Sequence, residues 1–342
     1  MNTEVNPKRA RRSSGAITLR DVAKLAGVAP ITASRVLNTP AQVSDEVRQK
    51  VLDAVQRTGY VPNRMAGGLA SSRSRLIAAI VPSTVMSVFM ETIESLNHTL
   101  FDAGYQLMLG QSDYSAAHEE LLLEAVIGRR PDGIFLTGIL PPGRARTRLL
   151  ASGIPVLETW DLTPTPIDML IGFSHLDIGR AVATFLMNKG RRRFALIRAE
   201  DERAGRRATA FVEAVTQSGH TDALVINVGD ARSLKGGREA MARVLREAPD
   251  TDAVFCSSDL LALGAMTEAR AQGISIPGRI AIVGFGDVPF LADMVPSLST
   301  VRINGADIGR QGARFLIERA EGRAVSPPIV DVGFTIIERD TT

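Results

Sequence analysis

The sequence predicts two architectures in one chain: a small all-α helix-turn-helix headpiece, then an α/β domain in two lobes. Three observations carry this. Residues 18–38, TLRDVAKLAGVAPITASRVLN, read as two short helices with a tight corner. From Leu76 onward, short aliphatic runs alternate with helical segments, and the alternation restarts after Phe173, the pattern of parallel sheets covered by helices. Charge divides at the same place. Residues 1–75 hold 13 basic and 5 acidic side chains, a balance of +8; the remaining 27 and 32 give −5, within a net +3. A basic head on a mildly acidic body suits a head that meets phosphate.

Residues 1–15 read as a disordered basic tail, with Lys8, Arg9, Arg11 and Arg12 adding nonspecific attraction to phosphate. The headpiece occupies 16–61. Thr18 is placed to cap its first helix, and Asp21 sits in the first turn against free N–H groups. Leu19, Val22, Ala23 and Ala26 share one face. Gly27 ends this helix, and Pro30 opens the next, where its missing N–H has no partner to lose. The second helix carries Ile31, Thr32, Ser34 and Arg35, with Val36 and Leu37 able to pack inward. Short side chains at the start of a helix fit a major groove, and Arg35 can reach a guanine edge or a phosphate. An ordinary helical hairpin satisfies the same pattern. Ser44 can cap a third helix running to about Arg57, with Val47, Val51, Leu52 and Val55 inward and Gly59 at its end.

Residues 18–38, followed by VSDEVRQKVLDAVQRTGYVPN, closely resemble the N-terminal domain of the LacI/GalR family of bacterial repressors. The match runs from Thr18 to Leu69 nearly without gaps, and weaker similarity continues beyond it. The resemblance implies a homodimer reading a palindromic double-stranded operator. It carries DNA contacts onto Thr18, Pro30, Ile31, Thr32, Ser34, Arg35, Asn38, Asn63 and Arg64. Pro30 and Ile31 fall where the family most often sets sequence preference; lacking side-chain donors, they are expected to touch thymine methyls. Ala29 stands where a capping serine is usual, at a cost of about 1 kcal/mol. Residues 62–75 match the hinge, which in the family becomes helical only on DNA and wedges a leucine into the minor groove. Leu69 lies at that position, though a flexible tether with a stray apolar residue fits the same letters. Gly67 and Gly68 depart from the usual helix formers. The family's C-terminal leucine repeat for tetramers is missing, so a dimer is expected.

In the body, LIAAIVP (76–82), YQLMLGQ (105–111), GIFLTG (133–138) and PVLETW (155–160) read as strands. Between them lie helices bearing Phe89, Ile93, Leu96 and Leu100, then Leu121, Leu122, Ala125 and Val126. After Phe173 a helix from about Leu176 carries Ile178, Val182, Phe185 and Leu186. FALIRA, ALVINV, AVFCSS, IAIVGF and STVRI are further strands. A helix from about Ile308 to Ala320 leads to one last strand, IVDVGFTIIE. The resemblance implies a periplasmic-binding-protein-like domain for effector binding and dimerisation over 76–342. Its lobes are expected at about 76–172 plus 304–342, and at 173–303.

Ligands in open α/β sheets bind beyond the carboxyl ends of strands. Ser83, Glu158, Asp161, Arg207, Ser258, Asp259 and Asp287 fall there and could ring a sugar or sugar acid. Trp160, the single tryptophan, is either an apolar platform or a packed edge residue, and Phe89 joins the candidates. In RRATAF, the spacing of Arg207 to Phe211 matches an arginine that reaches the effector in the family; a guanidinium grips carboxylate or vicinal hydroxyls. Arg206 is expected in solvent. SSDLLALGAM resembles the family's N-D-x-x-A-x-G run with Ser258 replacing Asn, and Asp259 could instead cap the following helix. In GFGD, Gly286 stands where a ligand-contacting Asp is common, and the carboxylate moves to Asp287. That loss favours an anionic effector. ETWD (158–161) parallels the gluconate-repressor branch, so gluconate or a ketogluconate is the expected effector, releasing DNA through a coupling of about 1–3 kcal/mol.

Hydrophobic content is 45% and aromatic content 5%, so the core is mainly aliphatic. No run is long enough to span a membrane and no signal peptide is seen, which points to the cytoplasm. Cys256 stands alone in AVFCSSD and reads as a core residue. No Walker loop, dinucleotide fingerprint or nucleophile elbow appears, and His118-Glu119 lacks a second histidine one turn on. Neither cofactor, metal nor enzymatic activity is expected. A sugar-binding protein without DNA function lacks an export signal here, and a cytosolic sugar enzyme lacks a nucleophile or phosphate loop.

Overall fold

A computed structural model describes residues 17–61, 73–83, 88–229 and 233–342. The chain divides between Ser74 and Arg75 into two compact units. In the first, α1 (Leu19–Ala26) begins at Thr18. Asp21 accepts the Thr18 N–H at 2.8 Å and its hydroxyl at 2.6 Å, and these bonds hold the Asp21 carboxyl below its ordinary range. Gly27 ends α1 at φ 68°, a conformation that a side chain makes costly. α2 (Pro30–Asn38) has Pro30 in its first turn, but Ala29 at the cap makes no side-chain bond. α3 (Asp45–Thr58) ends at Gly59. The core between them is Val22, Ala23, Ala33, Val36, Val51 and Ala54. These small side chains let the helices approach closely but bury little area, which makes a unit of this size marginal. The pattern places Leu52 inward; the structure leaves it 42% exposed. α3 turns Val51 and Ala54 to the core, and Leu52 lies about 100° further round the helix from Val51.

The second unit is two lobes, each a sheet between helices. The first holds β1 (Leu76–Val81), β2 (Gln106–Gln111), β3 (Gly133–Thr137), β4 (Val156–Thr159), β5 (Met169–Gly172) and β11 (Ile329–Asp331), with α4 (Met90–Asp102), α5 (Ala116–Gly128), α6 (Arg144–Ser152) and α11 (Gly305–Ala320). Its strand order is β11-β5-β4-β3-β1-β2, parallel throughout. The second lobe holds β6 (Phe194–Ala199), β7 (Leu224–Val228), β8 (Ala253–Cys256), β9 (Ala281–Phe285), β10 (Ser299–Arg302) and β12 (Thr335–Ile337), with α7 (His175–Asn188), α8 (Glu202–Gln217), α9 (Leu234–Glu247) and α10 (Asp259–Ala271). Its order is β12-β10-β9-β8-β6-β7, with β12 antiparallel to β10. β3, β4, β5, β8 and β9 are buried along their whole length, as strands covered on both faces must be. Among the described residues no helix is long and apolar enough to cross a membrane.

Three details differ from the sequence reading. IVDVGFTIIE is not one strand. Gly333 at φ 63° turns the chain, with its N–H on Asp331 Oδ1 at 2.9 Å, and β12 joins the second sheet. Further on, the Thr341 hydroxyl donates to Ile282 O at 2.7 Å. The stretch from 335 therefore packs with the second lobe, whereas the sequence places all of 304–342 with the first. β5 is absent from the reading because its four residues lie close before α7. Leu121 is 64% exposed, since α5 turns Leu123 and Val126 inward instead.

Candidate functional site

On the first unit, the candidate DNA face is the outer side of α2. Ala33 and Val36 anchor that helix to the core. The opposite side then presents Pro30, Ile31 and Arg35, all exposed, with Thr32 and Ser34 partly so. Ile31 is 63% exposed, a large apolar side chain held in water. Asn38 is exposed and donates back to Ser34 O at 3.0 Å. Thr18 is exposed, but its hydroxyl is spent on Asp21. Asn63, Arg64 and Leu69 lie outside the described residues.

In the second unit a cleft opens between the carboxyl ends of the two sheets. Ser83, Phe89, Tyr114 and Trp160 line it from the first lobe; His175, Asp201, Arg203, Arg207, Ser258, Asp259 and Phe285 line it from the second. The floor is aromatic. Phe89 meets Trp160 edge-on at 4.8 Å, and Trp160 meets Phe173 at 5.6 Å. Trp160 is 2% exposed and holds φ 64°, a conformation costly for a bulky residue and kept only where its surroundings enforce it. Its indole N–H is buried with no partner among the described residues.

Arg207 is the centre of the polar network. α8 can bring it inward because α7 passes very close: a Cβ on Gly179 would lie 2.2 Å from Arg207 O. The Arg207 guanidinium stands 4.0 Å above the Phe285 ring. Nη1 donates to His175 Nδ1 at 2.9 Å and Nη2 to Ser257 O at 3.2 Å; Nε is buried without a partner among the described residues. Arginine can only donate, so His175 Nδ1 is an acceptor. The proton must then sit on His175 Nε2, which donates to Trp160 O at 3.0 Å. Burial, then the charge of Arg207, pushes the His175 pKa down to about 2, so the ring is neutral. Burial lowers Arg207 to about 10, and it stays charged.

Ser258 caps α10 by accepting from Leu261 N at 3.3 Å. Asp259 therefore does not cap. Its Oδ1 accepts from the Thr300 hydroxyl at 2.6 Å and its Oδ2 from Val288 N–H at 2.9 Å, and burial raises its pKa to about 6. Three residues assigned to the cleft from sequence are turned away from it. Glu158 is fully buried inside the first lobe, bonded to Leu140 N at 2.9 Å, Ile167 N at 2.8 Å and Arg146 at 3.3 Å. It alternates along β4 to the side opposite Leu157 and Thr159. Asp161 pairs with Arg206 at 2.9 Å; Arg206, expected in solvent, also holds Glu202 at 3.1 Å. Asp287 pairs with Arg302 and with Arg339, beside a separate groove. Among the described residues no cluster could hold a metal ion, and Cys256 is buried with its thiol pushed up by burial.

The profile described as "Bacterial regulatory proteins, lacI family" matches residues 18–63, and that of a "Periplasmic binding protein-like domain" matches 183–342. The HTH-type transcriptional regulator GntR of Pseudomonas aeruginosa is 38% identical over 333 residues, covering 97% of each chain. The chain belongs to the LacI family. GntR of Escherichia coli (strain K12) is 33% identical over 319 residues, 93% of this chain and 96% of its own. The crystal structure of a LacI family transcriptional regulator from Silicibacter pomeroyi superposes with a TM-score of 0.89 at 35% identity, over 95% of this chain and 99% of that one. This LacI-family member is a DNA-binding transcriptional regulator and not an enzyme, with the family's helical headpiece and two-sheet α/β body.

Sequence reasoning thus brought Ser83, Phe89, Trp160, Arg207, Ser258 and Asp259 to one LacI-type cleft and missed His175, Asp201, Arg203, Tyr114 and Phe285. Arg203 carried a usable signal, being one helical turn before Arg207 and so on its face. Phe285 ends a strand, as the other candidates do. His175 carried none, because it reaches the cleft only through the crossing from β5 to α7.

Proposed function

We propose that this regulator represses transcription as a homodimer on a palindromic operator and releases DNA when a sugar acid, gluconate or a ketogluconate, enters the cleft. The observation that carries the effector assignment is the buried Arg207, with unsatisfied donors on Arg207 Nε and Trp160 Nε1 over an aromatic floor. Donors of that kind ask for an oxygen-rich ligand, and a guanidinium favours an anion. The carboxylate that the family commonly sets beside the ligand is missing: Gly286 takes its place, and Asp287 is neutralised elsewhere by Arg302 and Arg339. The similarity to regulators named GntR points the same way. On DNA, Ile31 and Pro30 would meet thymine methyls, Arg35 a base edge or phosphate, and Thr32, Ser34 and Asn38 the flanking backbone. Asn63 and Arg64 would add phosphate contacts and Leu69 the wedge, while the Thr18 donors, both held by Asp21, would act by fixing the start of α1. Site and work would then lie in the cytoplasm.

Mobility shifts on inverted-repeat duplexes, with and without gluconate, a ketogluconate or glucose, test this together with calorimetry on the free protein. The expected result is tight binding of a sugar acid that weakens the shifted complex. Binding of glucose alone, or a shift indifferent to every acid, would sink the effector reading.

A further inference from the structure

α8 carries three arginines, Arg203, Arg206 and Arg207, and two are spoken for inside the protein. Arg206 holds Asp161 and Glu202. Arg207 donates to His175 and Ser257. Arg203, half-buried in the cleft lining, makes no hydrogen bond and no ion pair among the described residues. Its guanidinium carbon lies 5.6 Å from the centre of the Phe89 ring, on the other lobe. It also faces Gly138 of the first lobe, where an added Cβ would come within 3.9 Å of Nη1. The side chain therefore bridges the cleft.

The carboxylates that share the lining do not answer this charge. Asp201 caps α8 by accepting from Ala204 N at 2.9 Å, and both oxygens of Asp259 are bonded within the second lobe. Glu119 on α5 feels the field of Arg203 but forms no ion pair with it among the described residues. A planar cation stacked on an aromatic face, with its fork of donors unspent in an apolar cleft, is matched by a carboxylate in two parallel bonds.

Resting on the sugar-acid reading above, we propose that Arg203 is the residue that takes the effector's carboxylate and so selects acids over neutral sugars. The hydroxylated remainder then lies toward Arg207 Nε and Trp160 Nε1, the two buried donors on the floor. Arg203 adds a direct grip on the carboxylate to a floor whose donors hold the hydroxylated remainder.

Calorimetry on the full chain tests this, with gluconate and a ketogluconate as acids and glucitol as the neutral probe, for wild type, Arg203→Gln and Arg203→Lys. Loss of one charged hydrogen-bonding partner should weaken the acid by about 10- to 100-fold in Arg203→Gln. Glucitol binding should stay as it is, and Arg203→Lys should recover part of the loss. Arg203 has no hydrogen bond or ion pair to give up among the described residues and only the ring contact to Phe89, so the fold should survive, and a melting curve checks that. Unchanged acid affinity in Arg203→Gln, or an equal loss of glucitol, overturns the assignment and leaves the parent reading standing. A wild-type protein that ignores both acids overturns the parent reading, and this assignment with it.

Discussion

On α2 the side chains of the candidate DNA face stand in water: Ile31 is 63% exposed, and Pro30 and Arg35 are exposed beside it. In the cleft the corresponding residues are sealed. Arg207 is 5% exposed, Trp160 2% and Asp259 2%, and each is fixed by neighbours from other chain segments. The difference follows from the partners. A duplex is rigid and charged, so a reader needs only a helix held at the right angle by a small core. A small ligand must be enclosed, so its site is preorganised from many segments and paid for in burial. Changes in the two regions should therefore differ in kind: loss of a surface contact on α2, disruption of a network in the body.

The largest effect should come from Gly179→Val. Its Cβ would lie 2.2 Å from Arg207 O, so α7 and α8 must separate. Overpacking at a backbone contact costs on the order of 3 kcal/mol. Calorimetric unfolding should show the body melting early while the headpiece transition stays in place. If both transitions fall together, the two units are not energetically separate.

Titration sharpens the contrast next. His175 is held neutral, with its pKa lowered to about 2, so acid protonates the unfolded chain first and folding loses stability as pH falls below 6.5. Asp259 is raised to about 6 from 3.8, so it does the opposite: its contribution is complete below 3.8 and is lost as pH rises through 6. The two oppose each other in mildly acidic solution. Replacing His175 by Gln removes the destabilising half. Relative to wild type, the stability of the body should then gain roughly 1.4 kcal/mol for each pH unit of acidification between about pH 6.5 and 4.5. Denaturant melts across that range measure it; parallel curves would mean that His175 is charged in the folded protein. In the headpiece, Asp21 and Glu46 have lowered pKa values but are fully exposed, so no comparable tilt should appear there.

Arg35→Ala tests the other side. Operator affinity should drop by about 1–3 kcal/mol, with effector affinity and the melting of both units unchanged. An accompanying fall in headpiece stability would make Arg35 a structural residue.

The same contrast explains what was legible in the sequence. The headpiece is local: the Thr18 and Asp21 cap, Gly27, Pro30 and the apolar spacing of Val22, Ala23 and Val36 all speak within a few residues. Most strands of the body were legible for the same reason, as continuous aliphatic runs. The cleft was read only where residues follow a strand end. That rule captured Arg207 with the help of the family resemblance, but it swept in Glu158, whose side of β4 is decided by the pleat, and Asp287, whose charge is consumed by Arg302 and Arg339. Neither pairing can be seen without the fold, because the partners are distant in the chain. β12 was misplaced because a turn at Gly333 changes lobes without interrupting the aliphatic pattern.

The smallest expected effect is a gain. Ala29 caps α2 with an extended backbone, φ −68° and ψ 148°, yet offers no side-chain acceptor. A serine at 29 needs no backbone change to accept from an N–H of the first turn. Ala29→Ser should therefore stabilise the headpiece by about 1 kcal/mol, read as a shift of its transition alone. Pro30 already removes one of the free N–H groups at that end, so the gain depends on a bond to Thr32 or the residue before it rather than to Pro30. If stability rises but operator binding weakens, the bare cap at Ala29 is there to let the DNA backbone take those N–H groups. If stability does not rise, the first turn of α2 is held by its core contacts at Ala33, and capping has nothing to add.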